Sequence, residues 1–471
     1  MARSAYDLIR SSLACYDAGR YGTSEWNPLS AIIEPGQTVV VKPNLVTHER
    51  PGFTGLVTHG AVVRCLLDYV CLALGGSGRV IICDSPVQGA DFSRVVREAG
   101  LDRVIDFYNG RGTFTVSLLD LRPEWARVDD ASGFICERVP LPGDPAGGTW
   151  FDLAHSSAVE PVSTPGSRLA VGDYDAAATS ENQQPGRHRY RFSNTVLDAD
   201  VVLNVAKMKT HQKAGLTGAL KNVVGMNTNK ACLPHFRMGP PPGGDEFPSS
   251  AYNAITARVK GRLQERVPLA LWRVLRQVAE AGQAVLRHRR GGDARYGLLG
   301  GSWQGNDTVW RMVIDINRIA RYGGRDGRLH VEPRRSLYHF VDGIVAGEGE
   351  GPLRSTPRDA GLFLHGTDAV VLDALVAALM GFDPDAVPLV RHAFHRHHGL
   401  TTVPSLPAAR VLLDRGLRLR LSRGQHFGFQ PPRGWPGLAS SVPAALLHHV
   451  ASPTPGRGLP EPFPDEDEGG E

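Results

Sequence analysis

The stretch DADVVLNVAKMKTHQKAGLTGALKNVVG, residues Asp198 to Gly225, decides how the chain folds. It opens with an acidic turn and passes into Val201-Val202-Leu203-Asn204-Val205-Ala206. That apolar run is too short for a free-standing helix and rich in β-branched residues, which predicts a buried strand. Lys207, Lys209 and His211 follow at alternate positions, so a continuing strand points two cations and an imidazole the same way. Like charges so placed repel, and the pattern asks for an anion or a carboxylate to face them. In GLTGALKN, Gly215 and Gly218 bare the backbone around Thr217, and Lys221 and Asn222 lie on the following turn. Such a strand-to-helix turn presents N–H groups that suit an anion, with lysine as a point charge beside them. Neither GxxxxGK(S/T) nor GxGxxG occurs, so nucleotide binding has no motif behind it. A solvated strand edge followed by an ordinary α/β turn is the alternative reading of the same residues.

Working outward, Thr38 to Lys42 predicts a strand stopped at Pro43-Asn44, because proline cannot donate to a ladder. Thr58 is the expected N-cap of a helix running to Leu74, and Gly75-Gly76 ends it. Arg79 to Asp84 makes the next strand, Ser85-Pro86 the turn, and Phe92 to Ala99 a further helix. This alternation predicts an α/β fold with a doubly wound, mainly parallel sheet and helices on both faces. Ligands of such sheets lie beyond the carboxyl ends of the strands. Lys42, Asn44, Asp84 and the cluster from Lys207 to His211 would converge there.

The division expected is a helix (Tyr6 to Tyr16) and lead-in over 1–37, an α/β domain over 38–435, and a Pro-rich, acidic, disordered tail over 436–471. Within the domain, 110–186 reads as an irregular insertion of short β-pieces and 253–300 as a helical insertion. Residues 226–252, with Asn227, Asn229, Lys230, His235 and a Gly-Pro run, read as a flexible lid. His235 is there either a ligand or acid–base group, or a solvent-facing loop histidine. The Arg-rich, amphipathic 253–290 predicts a packed helix with a solvated face, the alternative being a membrane or partner surface.

Further on, Trp310 to Ile319 is a helix or a strand. Leu337 to Val341 predicts a strand closing on Asp342, followed by acids alternating with glycines, Glu348 among them. These offer hard oxygen ligands or carboxylate bases on a bendable backbone. Leu362 to His365 reads as another strand. The helix Ala369 to Met380 buries Asp373, which needs a cap or a lysine partner. His392, His395, His397 and His398 invite a metal reading, but with no spaced carboxylate a solvated surface is expected.

The composition narrows the class. With 471 residues and 42% hydrophobic content the chain can bury a sizeable core. Its charge of +4, from 52 basic and 48 acidic residues, is too balanced to indicate nucleic acid. The six cysteines, at 15, 65, 71, 83, 136 and 232, show no CxxC pair, which argues against structural zinc or a built-in iron–sulfur cluster. The N-terminus lacks a signal-peptide pattern and no stretch reaches the ~18 apolar residues of a membrane span, so a cytoplasmic location is expected.

Four segments together, VVVKPNL (Val39 to Leu45), KMKTHQKAGLTGALKNVVG (Lys207 to Gly225), DGIVAGEGEGP (Asp342 to Pro352) and TDAVVLDALVAALMG (Thr367 to Gly381), resemble the domain-of-unknown-function 362 family. The closing FGFQPPRGW, Phe427 to Trp435, is similar as well, so the resemblance spans most of the chain. It implies membership without a reaction. Many members carry an appended ferredoxin-like iron–sulfur module, and the missing CxxCxxC run puts built-in electron transfer in doubt here.

The residues themselves point to an enzyme acting on an anionic small molecule, phosphorylated or carboxylated. Lys42, Lys207, Lys209 and Lys221 would neutralise the anion, with Asn44, Asp84, Thr217 and Asn222 around it. Lys209 and His211 would take part in catalysis, and Asp342 with Glu348 would hold a divalent metal or take a proton. Two alternatives remain: a metal- or cofactor-binding protein using His211, His235 and Asp342, and a non-catalytic interaction protein using the Arg-rich helix.

Overall fold

Val201–His211 is a strand buried along its whole length, at the middle of a sheet covered on both faces. The computed structural model describes residues 5–48, 52–111, 115–128, 135–171, 176–249, 254, 298–409 and 427–438. The Arg-rich 253–290 segment, the rest of the 253–300 insertion up to residue 297, and the tail beyond 438 lie outside the described residues, with Ala254 alone excepted. Strands in chain order are β1 Thr38–Pro43, β2 Arg79–Asp84, β3 Val116–Asp120, β4 Glu124–Val128, β5 Ile135–Pro140, β6 Gly148–Asp152, β7 Leu169–Ala170, β8 Gln183–Gln184, β9 Arg187–Ser193, β10 Val201–His211, β11 Gly215–Thr217, β12 Phe236–Arg237, β13 Ser336–Glu350 and β14 Arg354–Gly366.

The main sheet has seven strands in the order β14-β13-β10-β1-β2-β3, with β11 paired to the end of β10. Neighbours from β13 to β3 are parallel, and β14 and β11 are antiparallel additions. The architecture is therefore α/β with a mostly parallel sheet, as the alternation predicts. Successive residues feed two cores. Val202, Ala206 and Met208 pack on one face with the helices Val309–Tyr322 and Ala369–Met380. Val201, Leu203 and Val205 pack on the other with Gly60–Leu74 and Leu101–Asn109.

Several local expectations change. The cap of Gly60–Leu74 is His59, whose Nδ1 accepts from Ala61 N at 3.1 Å, and not Thr58. Thr58 Oγ1 instead accepts from Asn44 N and donates to Val205 O, both at 3.0 Å, stitching β1's exit to β10. The 110–186 region supplies β3 at the sheet edge as well as the β4–β5 hairpin and β6, which pairs with β9. Trp310 to Ile319 is helical, and its Asp315 accepts from Ala158 N (2.9 Å), Ser157 Oγ and Tyr190 Oη (3.1 Å). The strand expected to close at Asp342 runs on to Glu350 and folds back as β14. The segment 226–249 is a packed wall, not an open lid, because Met226, Leu233, Phe236 and Phe247 are buried and Asp245 accepts from Thr308 Oγ1 and Asp307 N.

Candidate functional site

The carboxyl ends of β1, β2 and β10 stop around a cavity of about 250 Å³. Its walls include Lys42, Asn44, Asp84, Ser85, Lys209, His211, Lys213, Thr217, Lys221, Asn222, Lys230 and His235. Five lysines thus face one carboxylate among the described residues of the wall. β1 delivers Lys42, β2 delivers Asp84, β10 delivers Lys209 and His211, and β11 delivers Thr217.

Beneath the cavity the polar groups are locked to one another. Lys42 Nζ sits 2.9 Å from Asp84 Oδ1 and donates to Pro43 O (2.7 Å) and Asn222 Oδ1 (2.9 Å). Asp84 also accepts from Leu45 N at 2.7 Å and Ser85 N at 2.8 Å. Asn222 Oδ1 takes a second bond from Asn44 Nδ2 at 2.7 Å, while its amide donates to Asn204 Oδ1 at 2.8 Å. Asn204 in turn reaches Ala219 O and His339 Nδ1. Lys209 Nζ donates to Asn44 Oδ1 (2.8 Å) and Leu56 O. A network satisfied this fully fixes the geometry of what lies above it. Gly225 belongs to it by absence: a Cβ there would lie 2.1 Å from Asp84 Oδ1 and 2.7 Å from Lys42 Nζ.

Above this floor three polar groups have nothing to hold among the described residues. Thr217 Oγ1 and Ser85 Oγ are buried without a hydrogen-bond partner, although their residues are 2% and 3% exposed. Lys221, half-buried on the cavity wall, makes no hydrogen bond or ion pair there, and burial with Lys213 and Lys42 nearby depresses its ammonium to about 8. Burial likewise lowers Lys230 to about 7, its ammonium reaching only Ser85 O among the described residues, and holds Lys209 well below its ordinary range.

The two cavity histidines are neutral and complementary. Burial first, then Lys221, holds both well below 6.5. His211 Nδ1 accepts from Lys213 N (3.0 Å) and Ala214 N (3.2 Å), which leaves the proton on Nε2. His235 Nδ1 donates to Leu233 O at 2.7 Å, which leaves Nε2 as an acceptor. One ring thus offers a donor and the other a lone pair.

Three expected members are elsewhere. Lys207 and Asp342 face each other across neighbouring strands and close an ion pair at 2.9 Å, so neither lines the cavity. Glu348 binds Arg358 at 3.1 Å and accepts from Gln430 N at 3.0 Å, fastening the segment that ends in Trp435. The expected metal set of His211, His235 and Asp342 is therefore not assembled, and the five wall lysines repel a cation. The free N–H groups expected after Gly218 are taken too: Asp373 accepts from Ala219 N (2.6 Å) and Leu220 N (3.1 Å). A Cβ on Gly218 would lie 2.2 Å from Asp373 Oδ1, which explains the glycine.

Burial pushes the Asp373 carboxyl up to about 7, with its two N–H donors acting in the opposite sense. The folded value lies above the ordinary 3.8, so the native state carries the extra proton between them and stability declines as pH rises through that window. Asp373→Asn is expected to remove this part of the decline, read as the wild-type minus variant difference in urea midpoint between about pH 4 and 7.

Residues that the sequence reading passed over are Lys213, Ser85 and, as a wall group, Lys230. Lys213 continues the alternation of 207, 209 and 211 by one further step, a signal that was available. Ser85 follows a strand-terminal acid directly, and only the fold shows that its hydroxyl stays unpartnered.

The α/β sheet thus ends in a lysine-walled cavity at its strand ends, with one imidazole N–H and one imidazole lone pair in the wall. The chain belongs to the DUF362 family, a domain of unknown function whose pattern matches residues 39–127 and 143–378. A thylakoid-associated protein of Synechocystis sp. is 22% identical over 359 residues, covering 76% of this chain and 67% of its own. A solved protein from Thermotoga maritima aligns over 77% of this chain, at 11% identity and a TM-score of 0.32, and this chain spans 56% of its length. That similarity is too distant to carry an argument. No described helix is long and apolar enough to cross a membrane.

Proposed function

We propose that the strand-end cavity binds a small molecule carrying more than one negative charge, phosphorylated or carboxylated, and that the protein is an enzyme acting on it. The observation that carries this reading is the unpartnered trio of Lys221, Thr217 and Ser85 on a wall of five lysines and one already paired carboxylate. Desolvated cations and orphaned hydroxyls are costly by themselves and are compensated when anionic oxygens reach them. Lys42, Asp84, Asn44, Asn222 and Lys209 act by positioning, since their polar groups are spent on one another. His235 Nε2 is placed to take a proton and His211 Nε2 to donate a hydrogen bond or proton, the pairing that general acid–base chemistry needs. The cysteines at 15, 65, 71, 83 and 232 are free thiols, compatible with the cytoplasmic location that belongs to this reading.

The test is equilibrium binding at low ionic strength of phosphate, pyrophosphate, citrate and, as a cationic control, spermidine. Saturable binding of at least one anion, competed by the others and not by spermidine, supports the reading. Equal response to all four, or to none, sinks it. The pH dependence follows from the wall lysines. Affinity is expected to be highest below about 7 and to weaken as pH rises past about 8, where Lys230 and then Lys221 lose their charges. Neutralising a lysine that holds the anion by a charge-assisted hydrogen bond weakens binding about tenfold or more, and proton uptake accompanies binding near pH 8.

A further inference from the structure

The histidine run that begins in the helix Pro388–Ala393 and continues past it contributes nothing to the cavity lining, and the structure resolves which of its members meet. His392 stacks on Trp310 with ring centres 4.0 Å apart and has Arg391 at its Nε2, so it is committed to the fold. His395, His397 and His398 are placed differently. Arg396–His398 forms one turn of 3₁₀-helix closed by His398 N donating to His395 O at 3.0 Å. Side chains three residues apart eclipse in that geometry, and the rings of His395 and His398 are indeed parallel within 3°, their centres 6.0 Å apart. The ring of His397 lies 3.9 Å from that of His398 and 5.6 Å from that of His395.

A candidate ligand nitrogen from each of the three falls within 4.8 Å of the other two, and no other such group of His, Cys, Asp or Glu occurs among the described residues. Three nitrogens on a tetrahedral zinc ion, each at 2.0–2.1 Å, are about 3.4 Å apart. The rings of His395 and His397 are exposed, so their side chains are free to turn toward a shared ion. A second observation points the same way. His398 is 7% exposed and its Nδ1 is buried with no hydrogen-bond partner among the described residues, an arrangement that is costly unless something binds there. None of the three imidazoles makes a side-chain hydrogen bond to the described residues.

We infer that His395, His397 and His398 form a binding site for one divalent transition-metal ion, with a fourth position open to water. Three imidazoles without thiolate or carboxylate suit Zn²⁺, Ni²⁺ or Cu²⁺ and not Mg²⁺ or Ca²⁺. The Arg318 guanidinium, close enough to depress His397 and His398, opposes a cation and weakens the site relative to one flanked by acids.

The experiment uses untagged full-length protein, stripped with chelator, then dialysed against ZnCl₂ and counted by elemental analysis. A parallel cobalt(II) sample reports coordination through its visible absorption. Wild type and His235→Ala are expected to hold one equivalent and show the tetrahedral cobalt spectrum. The double variant His395→Ala with His397→Ala alters two exposed side chains, so its fold should survive. Its apparent Kd should rise by more than ~10-fold, the loss that even outer-shell changes can cause, and the cobalt band should vanish. Metal retained in the double variant, metal lost only in His235→Ala, or no stoichiometric metal in wild type would each overturn the assignment. The anion reading of the strand-end cavity stands or falls separately.

Discussion

Asp84→Ala is expected to lower the unfolding free energy by about 3–5 kcal/mol, the usual cost of orphaning one member of a buried ion pair. Lys42 is 1% exposed and Asp84 3% exposed, so the truncation leaves a buried ammonium without its counter-ion. Leu45 N and Ser85 N lose their acceptor in the same step. The loss should appear as a lower urea midpoint at unchanged slope. Adding Lys42→Met should return part of it, because the cycle removes the unpaired cation as well. Gly225→Ala attacks the same pair from above, since its Cβ would occupy the space of Asp84 Oδ1. A midpoint for Asp84→Ala within experimental error of wild type would mean that this pair does not organise the strand ends.

The second large effect is expected at Lys221, with the opposite balance. Lys221→Met removes a desolvated ammonium with no partner among the described residues, so stability should be unchanged or raised. Anion affinity should fall by about 10- to 150-fold, matching the ~1.5–3 kcal/mol of a hydrogen bond to a charged group. Loss of affinity together with a comparable loss of stability would place Lys221 among the structural lysines with Lys42 and Lys207. The contrast between Asp84 and Lys221 would separate the floor of the site, which holds the fold, from the wall, to which the proposal assigns the ligand.

Much of this architecture was legible because parallel strands covered on both faces read as unbroken apolar runs. Val39–Val41, Val80–Cys83 and Val201–Ala206 announce themselves this way. Once they are strands, the strand-end rule alone puts Lys42, Asp84 and Lys209 near one another. Partner choice across long sequence separations was not legible. Nothing local says that Lys207 is matched by Asp342, because that depends on the register of β10 against β13. The same holds for Asp373, which satisfies two N–H groups more than a hundred residues earlier in the chain. The first case turned charges that looked functional into a structural pair, and in the second the partner that a buried Asp373 was expected to need proves to be two backbone N–H groups and not a lysine. His235 went the other way: its Gly- and Pro-rich neighbourhood reads as a lid, yet Phe236 and Phe247 anchor it and hold the ring in the cavity wall.

The most direct test of the strand-end site is calorimetric titration of pyrophosphate into the untagged protein, wild type beside Lys221→Met, at pH 7 and low salt. Saturable binding at one site per chain, weakened at least about tenfold in a variant that unfolds no earlier than wild type, is the predicted result. Identical affinities in the two proteins, or no binding of pyrophosphate, phosphate or citrate to wild type, would contradict it.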